Sequence, residues 1–221
     1  MHIWMYSCGG ILNKSMDLSM ISYIKKKNPL LTFVASCYES SQYYYEEFVE
    51  RFSSYGFRHF ELLHLDHNVK KKSLERVLKS DLIYLSGGNT FYFLSSIQKT
   101  SFHKLLWTFV RSGGILAGNS AGSIIMTPDI MTASYPEDDR DENEVGLDDL
   151  TALALVNFEF FPHYDDTSPY IKALTSNSIK SPYVIYAVTD GSGICINGPS
   201  IAFFGEVWGF YNGEKFQVCG L

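Results

Sequence analysis

Runs of β-branched, aromatic and other apolar residues alternate with longer amphipathic stretches through the first 119 residues, and few architectures accept that order. The apolar runs fall at 3–7, 31–37, 58–65, 82–86 and 114–119. Between them, 15–27, 41–55, 69–79 and 91–111 carry apolar side chains at helical spacing with a polar opposite face. Strand and helix periods in strict alternation predict an α/β fold, a mostly parallel sheet with helices on both faces. The pattern then changes. An acid-rich loop spans 135–149, an apolar run follows at 153–161 and ends at Pro162, and a further helix is expected over 168–177. The last quarter reads as short strands at 183–188, 193–196, 201–204 and 207–211, punctuated by Asn197-Gly198-Pro199 and Asn212-Gly213. That end is expected to extend the sheet with antiparallel strands. With no Pro/Ser-rich linker and no internal repeat, residues 1–221 read as a single domain.

Two glycine-bearing turns sit where a parallel sheet builds ligand crevices, at the carboxyl ends of neighbouring strands. Gly118-Asn119-Ser120-Ala121-Gly122 has the form Gly-x-Ser-x-Gly between a buried strand and a helix starting near Ser123. Such a turn forces serine into a strained conformation that projects its hydroxyl, and small flanking residues let the chain pass. Ser86-Gly87-Gly88-Asn89-Thr90 ends the preceding strand. A Gly-Gly loop there can offer an unobstructed N–H to a developing oxyanion, with the N–H of Ala121 as second donor. A plain helix entry capped by Asn89 or Thr90 is the simpler reading of the same loop.

A serine nucleophile needs a base, and histidine is matched to neutral pH. His2, His59 and His103 read as surface or packing residues, and His64 and His67 stand at a strand exit. His163, in Pro162-His163-Tyr164 after the apolar run, is the favoured candidate. The carboxylate that orients it comes from one of two places. Asp190, in Thr189-Asp190-Gly191, ends a strand; the acids Glu137, Asp138, Asp139, Asp141, Glu142 and Glu144 lie between the serine and His163 in the order Ser, acid, His. Asp190 is favoured, because a run of acids reads first as a solvated loop.

The remaining features exclude other function classes. Eighteen basic against 24 acidic side chains give a formal charge of −6, which disfavours nucleic acid and anionic membrane as partners. No apolar run approaches the ~20 residues of a membrane span and the N-terminus carries no leader pattern, so a cytoplasmic location is expected. The dispersed Cys8, Cys37, Cys195 and Cys219 suggest buried free thiols. The acidic loop fails calcium spacing, with Glu144 and Leu150 where glycine and glutamate are needed, and no metal or cofactor is expected.

Taken together, Gly87-Gly88-Asn89-Thr90-Phe91, Gly118-Asn119-Ser120-Ala121-Gly122, Pro162-His163-Tyr164 and Asp190-Gly191 resemble the peptidase E family of serine peptidases, over nearly the whole chain. The resemblance implies a class I glutamine amidotransferase-like (flavodoxin-like) fold, and a triad of Ser120, His163 and Asp190. Gly88 and Ala121 would be the oxyanion donors, with Asn89, Thr90 and Asn119 near the substrate. It implies a metal-free dipeptidase removing N-terminal aspartate from short peptides, as monomer or homodimer. Two positions depart from the family pattern: the third triad residue is aspartate instead of glutamate, and Asn119 replaces a bulky aromatic. Arg140 is a candidate anchor for a substrate carboxylate. An esterase or acyltransferase with the same triad, or a non-catalytic binding module, are the alternative readings.

Overall fold

The computed structural model describes residues 1–37, 41–66 and 69–218. Five parallel strands form its centre: β1 (His2–Tyr6), β2 (Leu30–Ala35), β3 (His59–His64), β4 (Leu82–Leu85) and β5 (Ile115–Asn119). They pair in the order β3-β2-β4-β5-β1. The antiparallel β8 (Gly193–Asn197) and β9 (Ser200–Phe204) complete a seven-stranded sheet on the β1 side. A second sheet has the order β11-β10-β7-β6, made of β6 (Glu159–Phe161), β7 (Ile185–Val188), β10 (Val207–Tyr211) and β11 (Glu214–Val218). Its pairs are antiparallel except β6 with β7.

Alternation along β1 shows why helices cover both faces. Ile3 and Met5 point into one core with the buried faces of α4 (Thr90–Thr100) and α5 (Phe102–Arg111). Trp4 and Tyr6 point into the other, with Met16 and Met20 of α1 (Lys14–Ile21) and Phe48 and Phe52 of α2 (Ser41–Ser54). A strand whose two faces are both buried reads as a continuous apolar run, as β1 does. The remaining helices are α3 (Lys71–Val77), the single turn α6 (Ala121–Ile124) and α7 (Ser168–Ser178). A third cluster, Phe161, Tyr164, Leu174, Ile185, Ala187 and Phe210 among its members, fixes α7 to the second sheet.

Four expectations change. The stretch 91–111 is two helices, because Ser101 adopts φ 57° and ψ 23° and starts α5 while ending α4. Thr100 turns its hydroxyl back to the carbonyls of Ser96 and Ile97, the competition for backbone groups that makes Ser and Thr weak helix formers. The apolar run 153–161, whose exit at Pro162 is that of a strand, forms one only over Glu159–Phe161. Leu153, Ala154 and Leu155 donate instead to Ile125, Thr127 and Met126, beside the segment after α6. That following helix is itself one turn long. Cys195 is buried, but Cys8 and Cys37 are half-exposed, and Cys219 lies outside the described residues. Among the described residues no helix is long and apolar enough to cross a membrane, and no group of His, Cys, Asp and Glu is placed to hold a metal.

Candidate active site

The loops leaving β1, β4 and β5 meet at one edge of the central sheet, and Ser120 stands there. Its φ of 50° and ψ of −113° lie in a region that L-residues rarely adopt. The surrounding turn enforces it. A Cβ on Gly118 would stand 2.4 Å from the carbonyl oxygen of Gly122, and one on Gly122 would stand 2.4 Å from that of Leu85. Ser120 N–H donates to Tyr6 O at 3.0 Å, and Gly122 N–H to Ser86 O at 3.0 Å, so the elbow is tied to the strands on either side. Ser123 closes the turn by donating to the carbonyls of Gly118 and Tyr6, at 2.7 and 2.9 Å.

The Gly87-Gly88 loop runs beside it; a Cβ on Gly87 would lie 3.6 Å from Ser120 Cβ. Ser36 and Ser86 hydroxyls both donate to Gly87 O, at 2.7 and 2.8 Å. A trans peptide points its C=O and N–H in opposite directions. Gly88 N–H is thereby turned away from the Ser36 and Ser86 hydroxyls. Gly88 has φ 124°, and a Cβ there would meet Ser36 Oγ at 2.2 Å, so glycine is required. The N–H of Ala121, first in its helical turn, has no intrahelical acceptor.

His163 and Asp190 come from the second sheet, from the ends of the adjacent strands β6 and β7. His163 Nε2 lies 2.9 Å from Ser120 Oγ, and His163 Nδ1 lies 2.7 Å from Asp190 Oδ1. The acidic loop is engaged elsewhere. Asp139 accepts from Tyr170 OH, Asp141 from Thr90 N–H, and Glu142 from Arg140. The other described histidines are not at Ser120: His2 bonds Asn197, His59 and His64 are on β3, and His103 is on α5; His67 lies outside the described residues.

Ser120 and His163 open onto a cavity of about 670 Å³, lined also by Gly87, Gly88 and Asn119. Asn89 and Thr90 do not line it. Asn89 caps α4, accepting from Tyr92 N–H while its amide donates to Glu142 O; Thr90 is buried. Arg140 is likewise outside the cavity. Three residues that the sequence reading passed over are at the site. Ser7 is buried beside His163 and Asp190. Cys8 lines the cavity, with a thiol pushed up by burial and thus a poor nucleophile. Arg51 is the one lysine or arginine among the described residues lining the cavity, and it is clamped by Asp17 through Nε at 2.8 Å and through Nη2. A second glycine pair, Gly9-Gly10, at the end of β1 was the available signal for this side of the site.

A family model for peptidase family S51 matches residues 8–203. The chain belongs to peptidase family S51. It is therefore a serine-type peptidase. A peptidase of Listeria monocytogenes of uncharacterized activity is 32% identical over 181 residues, 77% of this chain and 83% of that one. A second, from Pasteurella multocida, is 32% identical over 149 residues, 66% of this chain and 70% of that one. Peptidase E of Streptomyces coelicolor is 32% identical over 96 residues, 43% of this chain and 37% of its own. Among solved structures, a peptidase from an acI-B1 Actinobacterium superposes with a TM-score of 0.74 at 14% identity, covering 99% of this chain and 94% of that one. That likeness is one of fold.

One titrating group lies on the element that carries the histidine. Glu159, buried at the start of β6, has its carboxyl pushed up to about 7 by burial and by Asp129, against a lowering hydrogen bond from Ser181. The folded chain holds this proton more tightly than the unfolded chain. Stability is therefore full below the ordinary glutamate range and falls as pH rises through about 7. Glu159→Gln is expected to be about 1–2 kcal/mol more stable than wild type at pH 8, a gain that disappears near pH 4. Urea unfolding at the two pH values measures it; equal curves at pH 8 would contradict the burial argument.

Proposed function

We propose that this S51 peptidase cleaves short peptides through an acyl-enzyme on Ser120, with His163 as base and Asp190 as its orienting acid. The observation that carries the reading is the unbroken chain Oγ, Nε2, Nδ1, Oδ1, with contacts of 2.9 and 2.7 Å. His163 Nε2 takes the hydroxyl proton as Ser120 Oγ adds to the peptide carbonyl. The carbonyl oxygen, now negative, is met by the N–H groups of Gly88 and Ala121. The imidazolium, held by Asp190 through Nδ1–H, gives its proton to the leaving amine. Water then attacks the ester with His163 again as base, and the acid product leaves. Peptide mapping after treatment with a fluorophosphonate should place the adduct on Ser120. An adduct elsewhere, with Ser120 unmodified, would refute the mechanism.

The lining of the cavity bears on the substrate. An N-terminal aspartyl peptide calls for a cation beside Ser120, and Arg140 is not there. Arg51 lines the same cavity, but Asp17 takes two of its N–H groups and balances its charge. Glu47 and Glu50 on the same wall add negative charge. The balance supports short peptides without an acidic first residue over aspartyl peptides. Alanyl and leucyl arylamides are expected to be hydrolysed at least as fast as the aspartyl arylamide, judged by kcat/KM. A preference for the aspartyl substrate of ~10-fold or more would overturn this part and leave the mechanism standing.

A further inference from the structure

We infer that Ser7 is the positioning residue that holds the base and acid of the second sheet in register with the nucleophile of the first; the inference rests on the triad proposed above. The physical problem is set by the topology. Ser120 belongs to the seven-stranded sheet, whereas His163 and Asp190 hang from β6 and β7 of the four-stranded one. Two short hydrogen bonds between exposed side chains cannot themselves fix the relative placement of two sheets, because water competes for both partners. The apolar core that Ile3 and Met5 share with Phe160 and Val188 holds the sheets together, and the register at the site needs a directional contact.

Ser7 follows β1, which pairs with β5, the strand that ends in the elbow. Its side chain is fully buried. The hydroxyl accepts the backbone N–H of His163 at 2.7 Å. It stands 3.0 Å from Val188 O and 3.1 Å from Asp190 Oδ1, either of which takes its one proton. Ser7 N–H donates to Ser192 O at 3.1 Å, anchoring the residue from the other side of Asp190. One hydroxyl thus touches the backbone of the base, the carboxylate of the acid and the strand end that carries the acid.

The backbone of His163 shows what this contact supports. At φ 54° it is among the few non-glycine residues in the left-handed region, a conformation that persists only where surrounding bonds over-determine it. Tyr164 N–H donates to Val188 O at 3.1 Å on its far side, and Ser7 Oγ holds its own N–H. Removing the hydroxyl leaves the His163 N–H without that acceptor and frees the imidazole to leave Ser120 Oγ. It also removes the one donor that Val188 O and Asp190 Oδ1 share.

The test measures the reactivity of Ser120 directly, with a rhodamine-linked fluorophosphonate, and turnover with alanyl p-nitroanilide. Ser7→Ala is expected to lower the labelling rate constant ~10- to 100-fold. The kcat of turnover should fall by a similar factor with KM within ~3-fold, since Ser7 does not line the cavity. In a His163→Ala background the same Ser7→Ala change should alter labelling less than ~2-fold, because a residue acting through His163 has nothing left to position. Should the alanine protein fold poorly by circular dichroism, Ser7→Cys fills the site with a group that hydrogen-bonds weakly, and the same loss is expected. Labelling within ~2-fold of wild type in a folded variant, or an equal loss with and without His163, would overturn the role of Ser7. Ser120→Ala protein labelled as fast as wild type would instead refute the triad on which the inference stands.

Discussion

Purified Ser120→Ala protein is expected to hydrolyse alanyl p-nitroanilide about 10⁴–10⁶ times more slowly than wild type, with Asp190→Asn slower by about 10³–10⁴. The two losses have different causes. Alanine at 120 removes the atom that forms the acyl bond, and among the described residues no other hydroxyl is placed at His163 Nε2. Asparagine at 190 keeps the shape but loses the charge that holds Nδ1–H and steadies the imidazolium. Its amide can also donate to Nδ1, which turns the ring to the tautomer with hydrogen on Nε2, the wrong one for a base. KM should change little in either variant. Asp141→Asn is the comparison that decides between the two sources of acid. Asp141 accepts Thr90 N–H at 2.7 Å and does not reach the histidine, so its variant should keep kcat within ~3-fold. Loss in Asp141→Asn equal to that in Asp190→Asn would place the orienting acid in the wrong loop.

The central sheet and the elbow were legible because their signals are local. Strand runs such as Ile3 to Tyr6 are buried on both faces, and that burial writes itself into a continuous apolar segment. The elbow is legible because Gly118 and Gly122 stand so near neighbouring backbone that a Cβ on either would lie 2.4 Å from a carbonyl oxygen. The division into two sheets was not, since nothing in the sequence of β6 or β7 says which strands they avoid. The hairpin of β10 and β11 was half legible. Asn212 and Gly213, at φ 51° and 83°, fulfil the turn that their identities predict. The strand after it, Glu214–Val218, is too polar and too exposed to announce itself. Ser7 and Arg51 escaped for a further reason. Serine at a strand end and arginine on an amphipathic helix are ordinary in sequence, and their meaning arises from partners 156 and 34 residues away.

Replacing Asp17 by alanine is expected to cost about 3 kcal/mol of stability and, in the protein that remains folded, to raise the aspartyl-to-alanyl ratio of kcat/KM by ~5- to 10-fold. Asp17 is fully buried and accepts from Tyr6 OH and Tyr55 OH, both at 3.0 Å, besides the two nitrogens of Arg51. Its removal leaves a guanidinium stacked over the rings of Tyr6 and Phe52 without its buried carboxylate partner. Breaking a buried pair on one side is costly because the other ion stays desolvated, and the low end of the range applies here because Arg51 borders the cavity and can reach water. That same escape delivers an unpaired cation to the cavity onto which Ser120 opens. The double variant Asp17→Ala, Arg51→Met separates the two effects. It should recover part of the lost stability in urea, since no ion is stranded, and it should return the substrate ratio to the wild-type value. A ratio unmoved in Asp17→Ala would mean that Arg51 does not face the acyl group, whatever the fate of the fold.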